Sequence, residues 1–263
     1  MSPQKQTNTR YGLMSYYHED PTIGHSLNLY GEYCHPEIEM ILSLVNKDST
    51  YIDIGANIGT HTVSIAPHVQ QVYAFEPDPN NYQLLLSNTS GHNNITVINN
   101  AISDDECSGY TDFNFGRTIF VESNGSCLTS TIDSYNIEKI DFVKIDTEGF
   151  ELRILQGMTN VLTYQQPNML IEMQDIDTYR AIYDYLKTFN YYMYWMPVAT
   201  FNPNNFKKES KDVFGPRHGV INWLCSATKL NTTLEAVVDN EDSVERMVWR
   251  RNQNVGDDLE HGE

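Results

Sequence analysis

A carboxylate, two glycines and a second carboxylate form the first constellation in this chain that could do chemistry. Asp53 lies near the end of the apolar run Tyr51–Ile54 and is followed by Gly55-Ala56-Asn57-Ile58-Gly59. Gly55 and Gly59 let the backbone turn tightly, so that a ligand can approach the amides at the start of the next helix, where the dipole favours an anion. Asp53 argues the other way, because a carboxylate opposes a pyrophosphate and welcomes an ammonium or a sulfonium. Asn57 stands where a dinucleotide fingerprint carries a second glycine to admit the pyrophosphate. A nicotinamide-dependent oxidoreductase therefore loses ground. Glu76 closes the next apolar run, 17 residues after Gly59. An acid at that place can accept hydrogen bonds from both hydroxyls of a ribose. An adenosine with a cationic amino-acid end satisfies all of these residues; S-adenosylmethionine is the common one, though the chemistry does not name it uniquely.

The second constellation is Lys144, Asp146 and Glu148. While the chain stays extended, alternate residues point the same way, here into the crevice at a strand end. The structural alternative is an ion pair between Lys144 and a nearby acid such as Glu172, since buried charges must be paired. If the cationic ligand is a methyl donor, transfer from its sulfonium would need no acid for the leaving thioether, only orientation and a base for the acceptor proton. Asp146, Glu148 and His61, which follows the glycine turn, are the candidate bases, and the strand-end position favours the two acids over His61. No H-x-H, H-E-x-x-H or D-x-D-x-D pattern accompanies them, so metal-free chemistry is expected.

These residues need a scaffold of alternating strands and helices. A helix over 36–45 carries Ile38, Ile41, Leu42 and Val45 on one stripe, and strands follow at 51–54, 71–75, 95–98, 140–145, 168–171, 191–195 and 220–224. Helices are expected at 80–90, after Asp78-Pro79 as N-cap and first helical residue, at 150–161, and on the stripe Ile176, Tyr179, Ile182, Leu186. A hairpin is expected between Tyr110 and Glu122. Such alternation implies an α/β fold with a mostly parallel sheet, helices on both faces and ligands at the carboxyl ends of the strands. Residues 1–35 are expected to be an irregular lead-in or lid, 36–228 the domain, and 229–263 an acidic solvated tail, with helical turns conceivable around 241–251.

Composition sets outer limits. The 263 residues carry a formal net charge of −18, which repels phosphate backbones and anionic lipid, so neither nucleic acid nor a membrane is an expected partner. Four cysteines without a C-x-x-C pair and the absence of a long apolar run suggest a cytoplasmic protein with reduced thiols. Oligomeric state is not legible. A non-catalytic cofactor-binding or protein-interaction module on the same fold is the competing reading.

Three blocks, Tyr51-Ile-Asp-Ile-Gly-Ala-Asn-Ile-Gly-Thr-His-Thr62, Ala74-Phe-Glu-Pro77 and Ile140-Asp-Phe-Val-Lys-Ile-Asp-Thr-Glu-Gly-Phe-Glu151, resemble FkbM-type methyltransferases, with supporting blocks at 99–103 and 129–133. The resemblance runs from about Gly31 to Leu224. It implies a class I methyltransferase, a Rossmann-like seven-stranded sheet of order 3-2-1-4-5-7-6 with strand 7 antiparallel. It also implies S-adenosylmethionine as methyl donor and a hydroxyl of a sugar or small metabolite as acceptor. By motif position Asp53, Gly55, Asn57, Gly59 and Glu76 would hold the cofactor, with Asn100 near the adenine. Thr147 departs from the apolar residue often found there.

Overall fold

The computed structural model describes residues 4–238 apart from 115, 116, 123, 124, 126, 174, 175 and 217. Its centre is β3 (Thr50–Ile54), whose five residues are all buried. Parallel neighbours flank it on both sides, β4 (Gln71–Phe75) and β10 (Phe142–Ile145). A strand covered on both faces reads as a continuous apolar run, and this is why Tyr51–Ile54 shows no alternation. The faces still separate by parity. Ile52, Ile54, Val143 and Ile145 join the core built with α5 (Glu151–Gln156) and α6 (Ile176–Thr188). Tyr51 and Phe142 join the core built with α2 (His35–Leu44) and α3 (Thr60–Ile65). Lys144 and Asp53 are register partners and share the parity of Phe142 and Tyr51. Two charged groups therefore lie under α2 and α3.

Outward from β4 lies β5 (Ile95–Ile98), parallel to it. On the other side β10 pairs with β11 (Asn168–Glu172), again parallel. Then come β13 (Gly219–Ser226), antiparallel to β11, and β12 (Tyr192–Ala199) at the edge. The seven-stranded sheet is thus mixed, in the order β12-β13-β11-β10-β3-β4-β5. Six strands run in one direction and only β13 opposes them, and the glycine turn, Glu76 and Asp146 all follow strand ends on the same side. Between β5 and β10 the chain forms a second sheet, β6 (Ala101–Ile102), β7 (Ser108–Asn114), β8 (Arg117–Glu122) and β9 (Cys127–Ser130), in the order β6-β9-β7-β8. The β7–β8 pair is the hairpin expected between Tyr110 and Glu122.

Three expectations need correction. The segment before residue 36 is not an irregular lead-in: β1 (Gln4–Thr9) and β2 (Gly12–Tyr17) form an antiparallel hairpin, followed by α1 (Ile23–Tyr30). Met14, Tyr16, Tyr17, Ile23 and Leu27 bury themselves against Ile58, Val63 and Leu84 of the glycine turn and the next two helices. Asn88 of α4 (Pro79–Thr89) pins the hairpin, accepting from Ser15 N–H at 2.7 Å and donating to the carbonyls of Ser15 and Ile58. The helix expected to run to Val161 stops at Gln156. Gly157 sits so close to Ser103 that a Cβ would meet its carbonyl oxygen at 2.0 Å, and a π-turn over Val161–Gln165 follows.

The third correction concerns the tail. Residues 230–238 add backbone to the sheet edge: Trp195 N–H donates to Glu235 O and Val237 N–H to Met193 O, both at 2.8 Å. Val237 is buried in the main core, and Leu230 and Leu234 pack on the other. The helical turns considered around 241–251 fall outside the described residues. A chain ending at Lys229 is accordingly expected to melt well below one ending at Val238. Loss of one buried valine alone is worth about 1.5–3 kcal/mol, or roughly 3–12 °C for a domain of this size. Thermal denaturation of the two truncations followed by circular dichroism checks this, and equal melting temperatures would contradict it.

Candidate active site

The glycine turn begins where β3 ends. Gly55 has φ +80° and lies against the carbonyl of Asp146, which a Cβ at Gly55 would meet at 1.8 Å. Asn57 and Gly59 also take positive φ, so the turn coils back on itself before α3 starts. Its amides are not free for an anion, contrary to expectation. Gly55 and Ala56 N–H both donate to Phe75 O, and Gly59 N–H donates to Ala56 O. Asn57 N–H donates to Glu76 Oε2 at 2.8 Å, and Ile58 N–H to the Asn57 side chain. Every amide from Gly55 to Gly59 is spent.

Beside this turn lies a cleft open to solvent. Gly55, Asn57, Glu76 and Asn100 line one part of it, and His61, Asp146 and Glu148 another. Two of the expected site residues do not reach it. Asp53 is fully buried one position before the strand end, roofed by α3, where its Oδ2 accepts from Thr62 Oγ1 at 2.6 Å. Gly59 serves the N-cap of α3, where a Cβ would lie 2.7 Å from the Leu85 side chain. Asp53 therefore acts on the cleft only as a charge beneath its floor, and Gly59 only through the shape of the turn.

Glu76 follows β4 and is 3% exposed. Its two oxygens accept from Asn57 N–H and from Asp78 N–H at 3.0 Å. Burial pushes its carboxyl up to about 7, against the opposing pull of these amide hydrogen bonds. Asn100, between β5 and β6, donates to Ser130 Oγ at 2.6 Å and to Tyr135 OH at 3.1 Å. Its Oδ1 is buried with no hydrogen-bond partner among the described residues. A buried acceptor left open is costly and points to a donor from outside the chain. Phe75, Ile102, Phe120 and Phe150 supply apolar wall around these two polar groups.

On the other side, Lys144 Nζ lies 2.8 Å from Asp146 Oδ2. Burial disfavours the ammonium, but Asp146, Asp53 and Glu37 surround it and hold it protonated. Burial likewise disfavours charge on Asp146, yet Lys144 and a hydrogen bond from Glu172 together hold its carboxyl well below the usual range. Glu172 is pushed well up by burial and by the Asp146 charge beside it. The ion pair of Lys144 thus forms with Asp146 itself, and Glu172 lies beside that pair. Glu148 has left the extended conformation, with φ +58°, and Gly149 follows at φ +110°. Glu151 braces this turn, accepting from Gly149 N–H at 3.0 Å and Thr147 Oγ1 at 3.3 Å. The three charged residues do not simply point one way.

His61 lines the cleft with its Nε2 2.9 Å from Glu37 Oε2. The other Glu37 oxygen accepts from Asn222 Nδ2 at 2.8 Å. Sequence reasoning names neither Glu37 nor Asn222. Glu37 stands one turn before Ile41 on the buried stripe of α2, an acid where an apolar residue belongs, and that is the available signal. Asn222 is 185 positions away from it in sequence, and only the register of β13 opposite Glu172 brings it there.

A match to the methyltransferase FkbM domain extends over residues 53–193, more than half of the chain. The chain belongs to this family. A curated relative of this FkbM member, the hexuronic acid methyltransferase AglP of Haloferax volcanii, is 34% identical over 145 residues. That match covers 51% of this chain and 59% of the relative, so the chain spans about three fifths of the relative's length. The methyltransferase FkbM structure from Methylobacillus flagellatus KT is similar at 18% identity, with TM-score 0.48, over 68% of this chain and 44% of that one. The M. jannaschii TYW2 structure in complex with AdoMet is similar at 14% identity, with TM-score 0.46, over 86% of each chain. No helix among the described residues is long and apolar enough to cross a membrane.

Proposed function

We propose that this FkbM-family chain is a class I methyltransferase that moves the methyl group of S-adenosylmethionine to a hydroxyl of a sugar or small metabolite. The observation that carries the cofactor assignment is the spent glycine turn. A turn built for a pyrophosphate offers its amides, whereas here Gly55 to Gly59 have none to offer, and the cleft wall carries the acids Glu76, Asp146, Glu148 and Glu172 against one cation among the described residues, Lys144, itself paired with Asp146. An uncharged ribose and a cationic sulfonium suit such a site. In this reading Glu76 accepts from the ribose hydroxyls, Asn100 Oδ1 accepts from the adenine amino group, and the apolar wall takes the base. The bound cofactor supplies an electrophilic methyl group on a sulfur that leaves as a neutral thioether; the protein orients the acceptor, excludes water and takes one proton. The order of the sheet strands, which in chain sequence is 3-2-1-4-5-7-6, supports the class I assignment.

The acceptor class rests on the AglP relative and on the acidic wall of Asp146, Glu148 and Glu172, whose oxygens are natural partners for sugar hydroxyls. Isothermal titration with S-adenosylmethionine, S-adenosylhomocysteine and NAD tests the cofactor. The two sulfur ligands are expected to bind and NAD is not. Binding of NAD alone would instead support an oxidoreductase. Release of S-adenosylhomocysteine in the presence of methyl glucoside, methyl glucuronide and methyl N-acetylglucosaminide tests the acceptor class. Cofactor binding without turnover on any of them would favour the non-catalytic module.

A further inference from the structure

Three buried polar side chains from three separate elements meet at the acceptor side of the cleft. Glu37 comes from α2, His61 from α3 and Asn222 from β13, and they are 3%, 5% and 3% exposed. Glu37 Oε1 is committed to the Asn222 amide and Oε2 to His61 Nε2. A carboxylate oxygen accepts, so the proton shared in this contact belongs on Nε2, and the imidazole tautomer that puts it there carries its lone pair on Nδ1. Among the described residues no hydrogen bond reaches Nδ1, while His61 itself lines the cleft.

We propose that Glu37, fixed by Asn222, is a positioning residue that holds His61 in the tautomer whose Nδ1 takes the proton of the acceptor hydroxyl. The proposal rests on the methyl-transfer reading of the cleft. As the hydroxyl oxygen of the acceptor bonds to the methyl carbon, the carbon–sulfur bond of the S-adenosylmethionine breaks and its electron pair stays on sulfur. The hydroxyl proton passes to Nδ1 of His61, leaving an imidazolium that donates to the Glu37 carboxylate. Charge and atoms balance, with the sulfonium charge replaced by the imidazolium charge. Asp146, favoured over His61 on strand position, is less suited to this step because Lys144 already holds its carboxylate at 2.8 Å. Asp146 and Lys144 instead orient the acceptor.

Glu37→Gln separates a tautomer-setting role from mere packing. With its one carbonyl oxygen kept on Asn222 Nδ2, its amide N–H faces His61 Nε2 and moves the ring proton to Nδ1, where the base lone pair is needed. Nitrogen-15 NMR of histidine-labelled protein, with the His61 signal assigned by its absence from His61→Asn, is expected to show Nε2–H in the wild type and Nδ1–H in Glu37→Gln. On the best glycoside of the panel above, Glu37→Gln is expected to lose about 10²- to 10⁴-fold in kcat, with KM and the S-adenosylmethionine Kd unchanged. A wild-type Nδ1–H tautomer, or Glu37→Gln with wild-type kcat, overturns the proposal. A wild type that fails to bind S-adenosylmethionine overturns the reading of the cleft and this role with it. Should Glu37→Gln fail to fold, the tautomer of the wild type decides alone.

Discussion

Replacing Gly55 by alanine is expected to lower the melting temperature by roughly 10 °C or more and to abolish S-adenosylmethionine binding. Two costs combine. At φ +80° an L-residue is strained by about 1–3 kcal/mol whatever surrounds it. In addition the new Cβ would lie 1.8 Å from the Asp146 carbonyl oxygen, which is backbone and cannot rotate away. The ends of β3 and β10 are tied there, since Asp146 N–H donates to Ile54 O at 3.1 Å, so relief of the clash must move the acidic turn that lines the cleft. Gly149→Ala is the matched control. Gly149 has φ +110° but nothing within 4 Å of the place a Cβ would take, so it carries the strain without the clash and is expected to fold with a smaller loss. Calorimetric melting of both variants, with and without S-adenosylmethionine, checks the pair. Equal losses would show that the contact between the two strand ends is not what makes Gly55 necessary.

The second large effect concerns Glu76. Glu76→Ala is expected to weaken S-adenosylmethionine binding by about 1–3 kcal/mol, some 5- to 150-fold, through loss of hydrogen bonds to a charged acceptor. The isosteric Glu76→Gln adds a pH signature. In the free protein burial raises this carboxyl to about 7, above the ~4.3 of an unfolded glutamate. A raised acid favours the folded state in its protonated form, so its contribution to stability is complete below about 4.3 and is lost as pH rises through about 7. Ribose hydroxyls donate to the ionised form, so ligand binding expels the proton and affinity rises with pH. Titration calorimetry is expected to show binding about tenfold weaker at pH 6 than at pH 8 in the wild type, and no such dependence in Glu76→Gln. An unchanged Kd in Glu76→Ala would remove Glu76 from the ligand site.

How much of this is legible in the sequence follows from the range of each interaction. Strands β4 and β5 appear with the residues expected of them, because each is a short run rich in apolar and β-branched or aromatic residues bounded by polar turns, β4 inside the sheet and β5 at its edge. The N-terminal hairpin leaves no such mark. In β2 four successive residues are buried, Met14 through Tyr17, one of them a serine, so neither alternation nor an apolar run announces it. The segment 230–238 joins the sheet edge through two backbone hydrogen bonds, which any sequence can make, and its apolar residues Leu230, Leu234 and Val237 are too scattered among polar ones to announce a strand. Glu76, Asn100 and the glycine turn are readable because their places are set by short loops after strands. Asp53 reads in the sequence as a ligand-facing acid because its type and spacing say nothing of the Thr62 side chain that roofs it. Glu37 and Asn222 cannot be paired from sequence at all, since only the sheet register joins them.

The most direct test of the cofactor site is a crystal structure of the chain with S-adenosylhomocysteine. The ribose hydroxyls are expected within hydrogen-bond distance of the Glu76 carboxylate, the adenine amino group on Asn100 Oδ1, and the thioether sulfur facing the space between His61 and Asp146. A ligand seated elsewhere, or one whose ribose leaves Glu76 bonded only to the amides of Asn57 and Asp78, would contradict this assignment.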